Sequence, residues 1–321
     1  MRPGFLVMDK PPGWTSHDVV AVVRAVTGVK KVGHTGTLDP FASGVLPLAL
    51  GKATRAIRFL DEKLKVYDAT ISLGSSTTTG DPEGEVLREA PLPSFENLDE
   101  VIASFVGPRM QTPPAYSAVK VKGKPLYKYA REGKTVEAKA RPIEIFGLEV
   151  LERQADSLRI DIRCSRGSYA RVLADEIAEA LGSAGHLSAL RRLQSGPFEI
   201  QHCLSMSELA DIVAGTEDWD AAFRRRGEDR MPWKPRDEVR ARLEERLRSP
   251  FEVLSHLPSV KVPQAGVEAI RSQGMVPPPP SGLEAGGAYT AHDGARVLVV
   301  ATSENGKGKA VIRFVGGPNP R

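Results

Sequence analysis

One carboxylate in this chain lies in a loop whose composition would present it to a substrate. The loop is residues 33–40 (GHTGTLDP), and apolar runs flank it on both sides. Gly33 and Gly36 allow the backbone to adopt positive φ or to approach a ligand closely. Pro40 disfavours the α region for the preceding residue, so Asp39 is predicted to be extended and held out. An ordinary glycine-rich turn shows the same pattern, and the loop alone does not decide between the two interpretations.

The other candidate residues leave a glycosidase possible and argue against a phosphate-binding loop and a cysteine metal site. A second acid, Asp81, also precedes a proline, and the two acids could converge as the carboxylate pair of a glycosidase does. Residues 51–54 (GKAT) fail the phosphate-loop pattern, because Leu46 replaces its first glycine and alanine its Ser/Thr. Cys164 and Cys203 have no metal-ligand spacing and are predicted to be reduced thiols of a cytosolic protein.

The charge distribution indicates a polyanionic partner more clearly than the net charge does. The 321 residues carry a formal charge of only +4, from 44 basic and 40 acidic side chains. Residues 120–141, however, contain eight Lys/Arg and two Glu, with Tyr127 and Tyr129 interleaved. Basic side chains neutralise phosphates and aromatic rings stack on unpaired bases, so this segment suits a structured RNA. A solvated basic hairpin remains the alternative.

Periodicity predicts the elements that position these residues. Strands are predicted at residues 5–8, 65–74 and 158–164, and helices at 16–27, 95–105 and from 169 onward. Ser16 is the expected N-cap of the first helix. Arg171 falls in the first turn of the last one, where a cation opposes the helix dipole. A residue placed against this local preference indicates a task such as pairing with a carboxylate, although an exposed arginine is equally compatible.

The C-terminal third is organised differently. Residues 215–250 are charge-dense and are predicted to be a partly helical, mobile linker or insertion. From about Ser255, short strands around 288–291, 296–301 and 309–314 with glycine-rich turns predict a small β-barrel-like domain. No apolar run has the length of a signal peptide or of a membrane span, which predicts a cytoplasmic protein.

Several motifs resemble the TruB-type tRNA pseudouridine synthases and run in that family's order over residues 5–210. They are residues 10–13 (KPPG) with Ser16, 33–47 (GHTGTLDPFASGVLP), 116–120 (YSAVK), 126–127 (LY), 130–133 (AREG), 164–171 (CSRGSYAR) and 190–193 (LRRL). The tail is similar to a PUA domain, with weaker motif support.

The resemblance implies an α+β fold: a mixed, mainly antiparallel central sheet with flanking helices, plus a small β-rich PUA domain. It implies a catalytic domain over residues 1–214 with an RNA-gripping flap at 113–142. A charged linker or insertion follows at 215–254, and the PUA-like domain at 255–321.

The implied reaction is the isomerisation of uridine to pseudouridine at position 55 in the T loop of tRNA, with the base extruded and no cofactor or metal. Asp39 would be the nucleophile, Arg171 would keep it ionised, and Tyr67 would stack on the uracil. The implied substrate contacts are His34 (filling the space left by the base), Lys10 (supporting the loop), Asp81, Tyr169, Leu193, Lys120, Lys122, Lys124 and Arg131. The partner is the tRNA T stem-loop, with no membrane and no obligate protein partner, and the protein is expected to be a monomer.

Two further expectations follow from the resemblance. A guanidinium beside a carboxylate lowers the carboxylate's pKa by roughly 1–3 units, so Arg171 is expected to lower that of Asp39. The family shows an acid just before the position of Thr79, where this chain has Thr78, and a detail of the nucleotide contacts therefore differs. The competing interpretation is a non-catalytic tRNA-binding or folding protein on the same scaffold.

Overall fold

The computed structural model describes residues 1–216, 218–223 and 235–315. The strands within these ranges are β1 (Gly4–Lys10), β2 (Val32–His34), β3 (Ser43–Leu50), β4 (Leu64–Leu73), β5 (Ser75–Thr77), β6 (Val86–Glu89), β7 (Gly107–Gln111), β8 (Lys120–Val121), β9 (Lys124–Pro125), β10 (Arg141–Arg153), β11 (Ser157–Ser165), β12 (Gly185–Ser195), β13 (Phe198–Glu199), β14 (Leu204–Ser205), β15 (Ser259–Lys261), β16 (Ala288–His292), β17 (Val297–Glu304) and β18 (Lys307–Arg313). The α-helices are α1 (Ser16–Thr27), α2 (Leu98–Ser104), α3 (Leu126–Arg131), α4 (Ala170–Ala180), α5 (Met206–Ala214), α6 (Trp219–Phe223), α7 (Asp237–Glu245), α8 (Pro250–Val253) and α9 (Gln264–Ser272). Two 3₁₀ helices span Gly51–Phe59 and Ile200–His202.

A ten-stranded sheet forms the centre of the molecule. Its strand order is β14-β1-β3-β12-β4-β11-β10-β7, with β2 added beside β3 and β13 beside β12. The β1–β14 and β3–β12 pairs are parallel, and the other neighbours are antiparallel. This arrangement confirms the predicted mixed, mainly antiparallel sheet with flanking helices.

Both faces of the middle of this sheet are covered. On β1, Leu6 and Met8 belong to one apolar core, whereas Phe5 and Val7 belong to a second core on the opposite face. Successive side chains of a strand point to opposite faces, so a strand buried on both faces is apolar at every position. This explains why the sequence shows a continuous apolar run here instead of an alternating one.

Helix α1 packs on the first core, and its N-cap lies one residue before the predicted one. Thr15, not Ser16, is the N-cap: its side chain accepts a hydrogen bond from the Asp18 N–H, and Asp18 bonds back to the Thr15 N–H. The Ser16 hydroxyl instead accepts from the Leu38 N–H (2.9 Å) and donates to the Leu38 carbonyl (3.1 Å). The start of α1 is therefore tied to the loop that carries Asp39.

Two other predicted helices are shorter than expected. Helix α2 begins at Leu98 and not at residue 95, because Phe95 has φ of +62°, which no helical residue adopts. Helix α4 begins at Ala170, and Tyr169 is its extended N-cap residue.

Part of the predicted linker is packed structure. Val239 and Leu243 of α7 are buried in the first core, and the helix contacts α1 and α5. The Arg240 guanidinium donates to the Thr27 carbonyl at the end of α1 (2.9 Å). The segment 237–247 is therefore a structural element packed on the first core, while residues 217 and 224–234 of the predicted insertion lie outside the described residues.

The C-terminal region forms a separate small β domain. Strands β15–β18 make a four-stranded sheet with a core of its own, to which α9 contributes Val267 and Ile270. Val300 and Ile312 of this sheet join the second core together with Ala53 and Ala56 of the 3₁₀ helix Gly51–Phe59. The small β domain is as predicted, and its assignment as a PUA domain stays a prediction. No helix in the described ranges has the length and apolar character needed to span a membrane.

Candidate active site

The loop that carries Asp39 lies along β3. The Thr35 N–H donates to the Pro47 carbonyl and the Ala42 N–H to the Asp39 carbonyl, both at 3.1 Å. Gly44 follows with φ of +102°, and a Cβ placed on it would lie 2.2 Å from the Arg192 carbonyl oxygen. Glycine is therefore required where β3 meets β12, and this close approach fixes the exit of the loop.

Arg171 binds the Asp39 carboxylate from the buried side. Its Nε lies 3.0 Å from Oδ2 of Asp39, and its Nη1 lies 3.5 Å from Oδ2 of Asp81. The same guanidinium donates to the carbonyls of Thr79 (2.6 Å) and Tyr116 (2.8 Å). Arginine suits this position because its planar fork offers five donors in fixed directions. Arg171 lies in the first turn of a helix, which is unfavourable for a cation, because these four acceptors bind its guanidinium there.

The second acid has a different environment from the first. Asp81 is 4% exposed, and its carboxylate accepts hydrogen bonds from the Thr79 hydroxyl and the Glu83 N–H. Asp39 and Asp81 do converge, but Arg171 lies between them and binds both. A buried carboxylate held in this way is not presented to a substrate as the second acid of a glycosidase would be.

Burial dominates the ionisation of Asp39. It raises the pKa of Asp39 above the usual 3.8, and the Arg171 charge opposes that rise. Asp81 adds to the rise, while Lys10 opposes it. Arg171 lowers the pKa of Asp39 as expected, but desolvation of the carboxylate outweighs the attraction of the guanidinium.

Lys10 supports the loop from beneath and is fully buried. Its ammonium donates to the main-chain carbonyls of Pro11 (2.9 Å), Trp14 and Pro40 (3.1 Å). The last of these belongs to the residue directly after Asp39. Burial lowers the pKa of Lys10 to about 8, with the Asp39 charge opposing the change. The residue therefore joins the 10–14 loop to the loop of Asp39.

Arg192 is a residue of the site to which the sequence assigned no role. Its side chain is 2% exposed and donates to the carbonyls of Gly36 (3.1 Å), Thr37 (3.4 Å) and Val45 (2.7 Å). These acceptors lie on both sides of Asp39 in the sequence. The pair of arginines at 191–192 was visible, but which of them turns inward depends on the strand register, and that register was not predicted.

Tyr67 lies opposite Arg192 in the β4–β12 pairing. Its ring packs against the first core, and burial raises its pKa while the nearby Arg192 guanidinium opposes the rise. The pairing with Arg192 connects Tyr67 to the loop of Asp39, because the Arg192 side chain donates to main-chain carbonyls on both sides of Asp39. The ion pair joins Asp39 to Arg171, far away in the sequence.

His34 lies at the other end of the loop, beside His17 of α1. The two rings meet edge to face with centroids 5.7 Å apart. Burial lowers the pKa of His34, and the charges of His17 and Arg192 lower it further. Its Nδ1 and the Oγ1 of Thr35 are buried without a hydrogen-bond partner among the described residues.

Tyr169 and Leu193 are close in the sequence to Arg171 and Arg192, respectively. The Tyr169 N–H and carbonyl are both bonded to the Gln111 side chain, at 2.8 and 3.2 Å. Leu193 follows Arg192 at a break in the β4–β12 register, where Arg192 pairs with Tyr67 and Gln194 pairs with Val66. A bulge of this kind re-aims a side chain. Both residues are half-buried.

The basic segment forms a hairpin apart from the carboxylates. Strands β8 and β9 are joined by a tight turn at Lys122 and Gly123, both with positive φ. Lys120, Lys122 and Arg131 are exposed, whereas Lys124 is half-buried and paired with Glu132. None of these four cations forms an ion pair with Asp39 or Asp81. The flap is joined to the cluster through the Tyr116 carbonyl, which Arg171 holds.

The site combines a partly exposed carboxylate bound to a buried cation with an aromatic ring and a basic hairpin. Within the described ranges, no three His, Cys, Asp or Glu side chains group as metal ligands would. The site therefore has the groups for proton transfer or for attack on a bound ring.

Comparisons with known proteins identify the family. The model of the TruB family pseudouridylate synthase (N terminal domain) matches residues 24–170, and that of the tRNA pseudouridylate synthase B C-terminal domain matches residues 171–226. A protein named tRNA pseudouridine synthase B from Geobacter sulfurreducens is 42% identical over 276 residues, which cover 85% of this chain and 82% of that protein. Another of that name, from Francisella philomiragia, is 48% identical over 212 residues, covering 65% and 70% of the two chains.

A solved structure shows that the likeness extends over the fold. A chain in the crystal structure of a Cbf5-Nop10-Gar1 complex aligns with a TM-score of 0.67 at 25% identity, covering 98% of this chain and 85% of that one. With the two family models and the curated relatives in agreement, the chain belongs to the TruB family of pseudouridylate synthases.

Proposed function

We propose that this protein isomerises uridine to pseudouridine at position 55 in the T loop of tRNA, with Asp39 as the nucleophile. Its relatives carry the name tRNA pseudouridine synthase B, which supports tRNA as the substrate. The position within tRNA and the role of the aspartate are the finer parts of the proposal.

The observation that carries the proposal is the asymmetry of the Asp39–Arg171 pair. The Arg171 side chain is 5% exposed, whereas that of Asp39 is 35% exposed. The anion is thus held by a cation that solvent barely reaches, yet one side of the carboxylate is open to a substrate. A structural ion pair has no need of this arrangement, but a carboxylate that must attack a bound molecule does.

The surroundings of Asp39 suit a nucleotide that has left its helix. A base inside a duplex is out of reach, so an enzyme that works on it must extrude it and hold it, commonly against an aromatic face. In this proposal the half-buried Tyr67 is the aromatic residue that holds the uracil, and Leu193 lines its pocket. The unpartnered Nδ1 of His34 and Oγ1 of Thr35 are polar atoms that RNA could satisfy.

The reaction balances without any co-reactant. The bond between N1 of the uracil and C1′ of the ribose breaks, a bond between C5 and C1′ forms, the hydrogen of C5 is released as a proton, and N1 gains a proton. Nothing is oxidised and no group leaves the nucleotide. Asp39 can begin this sequence by attack at C6, by attack at C1′ or by removal of the 2′ proton, and the three routes share the same carboxylate.

The flap supplies affinity for the RNA. Its exposed Lys120 and Lys122 and the rings of Tyr127 and Tyr129 are suited to phosphates and unpaired bases. Arg131 lies 5.6 Å from the Tyr127 ring, which keeps the cation and the ring on one surface. Because Arg171 holds the Tyr116 carbonyl, the flap and the catalytic pair are anchored to the same side chain.

The test is the Asp39→Asn variant on a tRNA transcript, with pseudouridine mapped by carbodiimide modification and primer extension. The natural protein is expected to give one stop, one nucleotide to the 3′ side of position 55, and the variant none while still binding tRNA. Asp161→Asn, at an acid paired with Arg163 on the outer face of the sheet, is the control and is expected to retain activity. Binding without modification by the natural protein would favour the non-catalytic alternative, and a stop elsewhere would refute the assigned position.

A further inference from the structure

The 3₁₀ helix Gly51–Phe59 carries a row of cations that the active site does not use. A 3₁₀ helix has three residues per turn, so side chains three apart lie directly above one another. Lys52, Arg55 and Arg58 have this spacing and form one straight edge of the helix. At a rise of about 2.0 Å per residue, the row is about 12 Å long.

The other two edges of the helix are occupied by packing. Ala53 and Ala56 are fully buried in the second core. Thr54 and Ile57 face β2, because a Cβ added to Gly33 would lie 4.0 and 3.8 Å from their side chains. The cationic edge is what remains, with Arg58 exposed and Lys52 half-buried.

Two further cations extend this edge. Lys30 and Lys31 are exposed at the entrance to β2, and the Lys31 carbonyl accepts a hydrogen bond from the Gly51 N–H at the start of the helix (2.8 Å). Among the described residues, no carboxylate lies within 4 Å of the ammonium or guanidinium nitrogens of Lys30, Lys31, Lys52 or Arg58.

The local sequence is unusually poor in acids. Residues 19–60 contain six Lys/Arg and one acid, Asp39 itself, so this stretch carries +5 in a chain whose total is +4. Solvated faces of globular proteins mix both signs of charge, and a single-sign surface is typical of a site for a polyanion.

The row lies close to the proposed active site, which indicates that it binds the same RNA as that site. His34 pairs with Leu48 and Val32 pairs with Leu50 on β3, so Lys31, the nearest of these cations along β2, lies three residues, about 10 Å, beyond His34. An RNA strand seated over His34 and Asp39 would continue across this edge.

We infer that the edge formed by Lys30, Lys31, Lys52 and Arg58 binds phosphates of the tRNA backbone and extends the RNA footprint beyond the flap. This inference rests on the proposed function, because the occupant is the tRNA substrate. The row positions the RNA and does not enter the chemistry, so it contributes to affinity and not to turnover of bound substrate.

The test is a salt titration of tRNA binding to the Lys52→Gln/Arg58→Gln variant. Each phosphate contact contributes roughly one to the slope of log K against log salt, so the slope is expected to fall by about 2. The Kd at low salt is expected to rise about tenfold, while kcat at saturating tRNA stays unchanged. The matched control is Arg153→Gln/Arg246→Gln, which removes two exposed cations elsewhere and is expected to leave the slope as it is.

The possible outcomes separate this inference from the proposed function. If the natural protein makes no pseudouridine and does not bind tRNA, the proposed function fails. If the natural protein binds and modifies tRNA but the variant keeps the same slope and Kd, the row is not in the interface. A lower kcat with an unchanged Kd would also overturn the inference, and a thermal unfolding curve identifies any variant that has lost its fold.

Discussion

Arg171 lies 3.0 Å from Asp39 and is far more deeply buried than its partner. The cation is therefore part of the protein interior, whereas the anion is partly exposed. Two opposing effects meet at Asp39: desolvation, which raises its pKa, and the guanidinium, which limits the rise. The predictions below follow from this pair and from the residues that hold the loop.

Removal of the Arg171 charge is expected to make Asp39 harder to ionise. In Arg171→Gln, burial acts on the carboxylate without its main opposing charge, so the acid limb of kcat/KM against pH should move to higher pH. Turnover should fall by about 10²-fold or more, because the carboxylate also loses its positioning partner. The measurement is a pH profile of pseudouridine formation on tRNA.

Arg171→Lys is the matched variant for this prediction. It keeps the charge but cannot bond two carboxylates and the carbonyls of Thr79 and Tyr116 at once. Its acid limb should move less than that of Arg171→Gln while its turnover stays low. If the acid limb of kcat/KM lies at the same pH in the natural protein and in both variants, Arg171 does not control the ionisation of Asp39.

Lys10 gives the folded protein a stability that depends on pH. Its pKa is lowered from 10.5 to about 8 by burial, so between these values the unfolded chain binds a proton that the folded chain lacks. The contribution of Lys10 to stability is therefore lowest below pH 8 and rises with pH through this window. The free energy of unfolding of the natural protein, minus that of Lys10→Met, should grow by about 2 kcal/mol from pH 8 to 9.5.

Urea titrations of both proteins at the two pH values test this prediction. Lys65 has its pKa lowered to about 8 as well, but it is present in both proteins and cancels in the difference. A difference that is flat or that falls with pH would show that the Lys10 ammonium is not held in the buried position described.

Arg192 is expected to contribute more to the fold and to turnover than its neighbour. In Arg192→Met the carbonyls of Gly36, Thr37 and Val45 lose their donor, and each buried unsatisfied group costs about 1–3 kcal/mol. Removal of a buried charge offsets part of this cost, which leaves a net loss of about 2–4 kcal/mol. Urea unfolding measures the loss, and kcat should fall while the KM for tRNA stays the same.

Arg191→Met is the control for this variant. Arg191 is 41% exposed and pairs with Asp9 at 2.6 Å, and an ion pair of this kind contributes less than about 1 kcal/mol. Equal losses of stability in the two variants would contradict the anchoring role of Arg192.

Gly44 is expected to tolerate no side chain. Gly44→Ala would place its Cβ 2.2 Å from the Arg192 carbonyl at a φ of +102°, so the β3–β12 pair must separate. Strain and overpacking together should lower the free energy of unfolding by about 3 kcal/mol or more. Gly51→Ala, also at positive φ but with nothing within 4 Å, should cost only about 1 kcal/mol. Similar losses at both positions would mean that β12 does not approach the loop this closely.

Strand alternation predicted some strands of the central sheet and not others. Strand β11 was predicted almost to its ends because its side chains alternate between buried and exposed. Strand β12 was not predicted, since two breaks in its register with β4 interrupt the alternation. Helix α7 was predicted as a helix, yet the burial of Leu243 in the first core depends on long-range packing against α1 and α5, which a local pattern does not contain.

The site was predicted in its chemistry more than in its electrostatics. The glycines and the proline around Asp39 are local signals, and they pointed to the loop directly. The roles of Lys10 and Arg192 as donors to main-chain carbonyls could not be predicted, because their acceptors become neighbours only after the sheet forms. The contribution of burial to the Asp39 pKa could not be predicted for the same reason, since burial cannot be judged from a single loop.

The most direct test of the account is release of tritium from a tRNA transcript that carries [5-³H]uridine. Pseudouridine formation replaces the hydrogen on C5, so each modified nucleotide frees one label. The account predicts one equivalent per tRNA with the natural protein, none with a transcript in which U55 is replaced by C, and none with Asp39→Asn although that variant still binds. Release by Asp39→Asn at the natural rate would contradict the assignment of Asp39 as the group that starts the reaction.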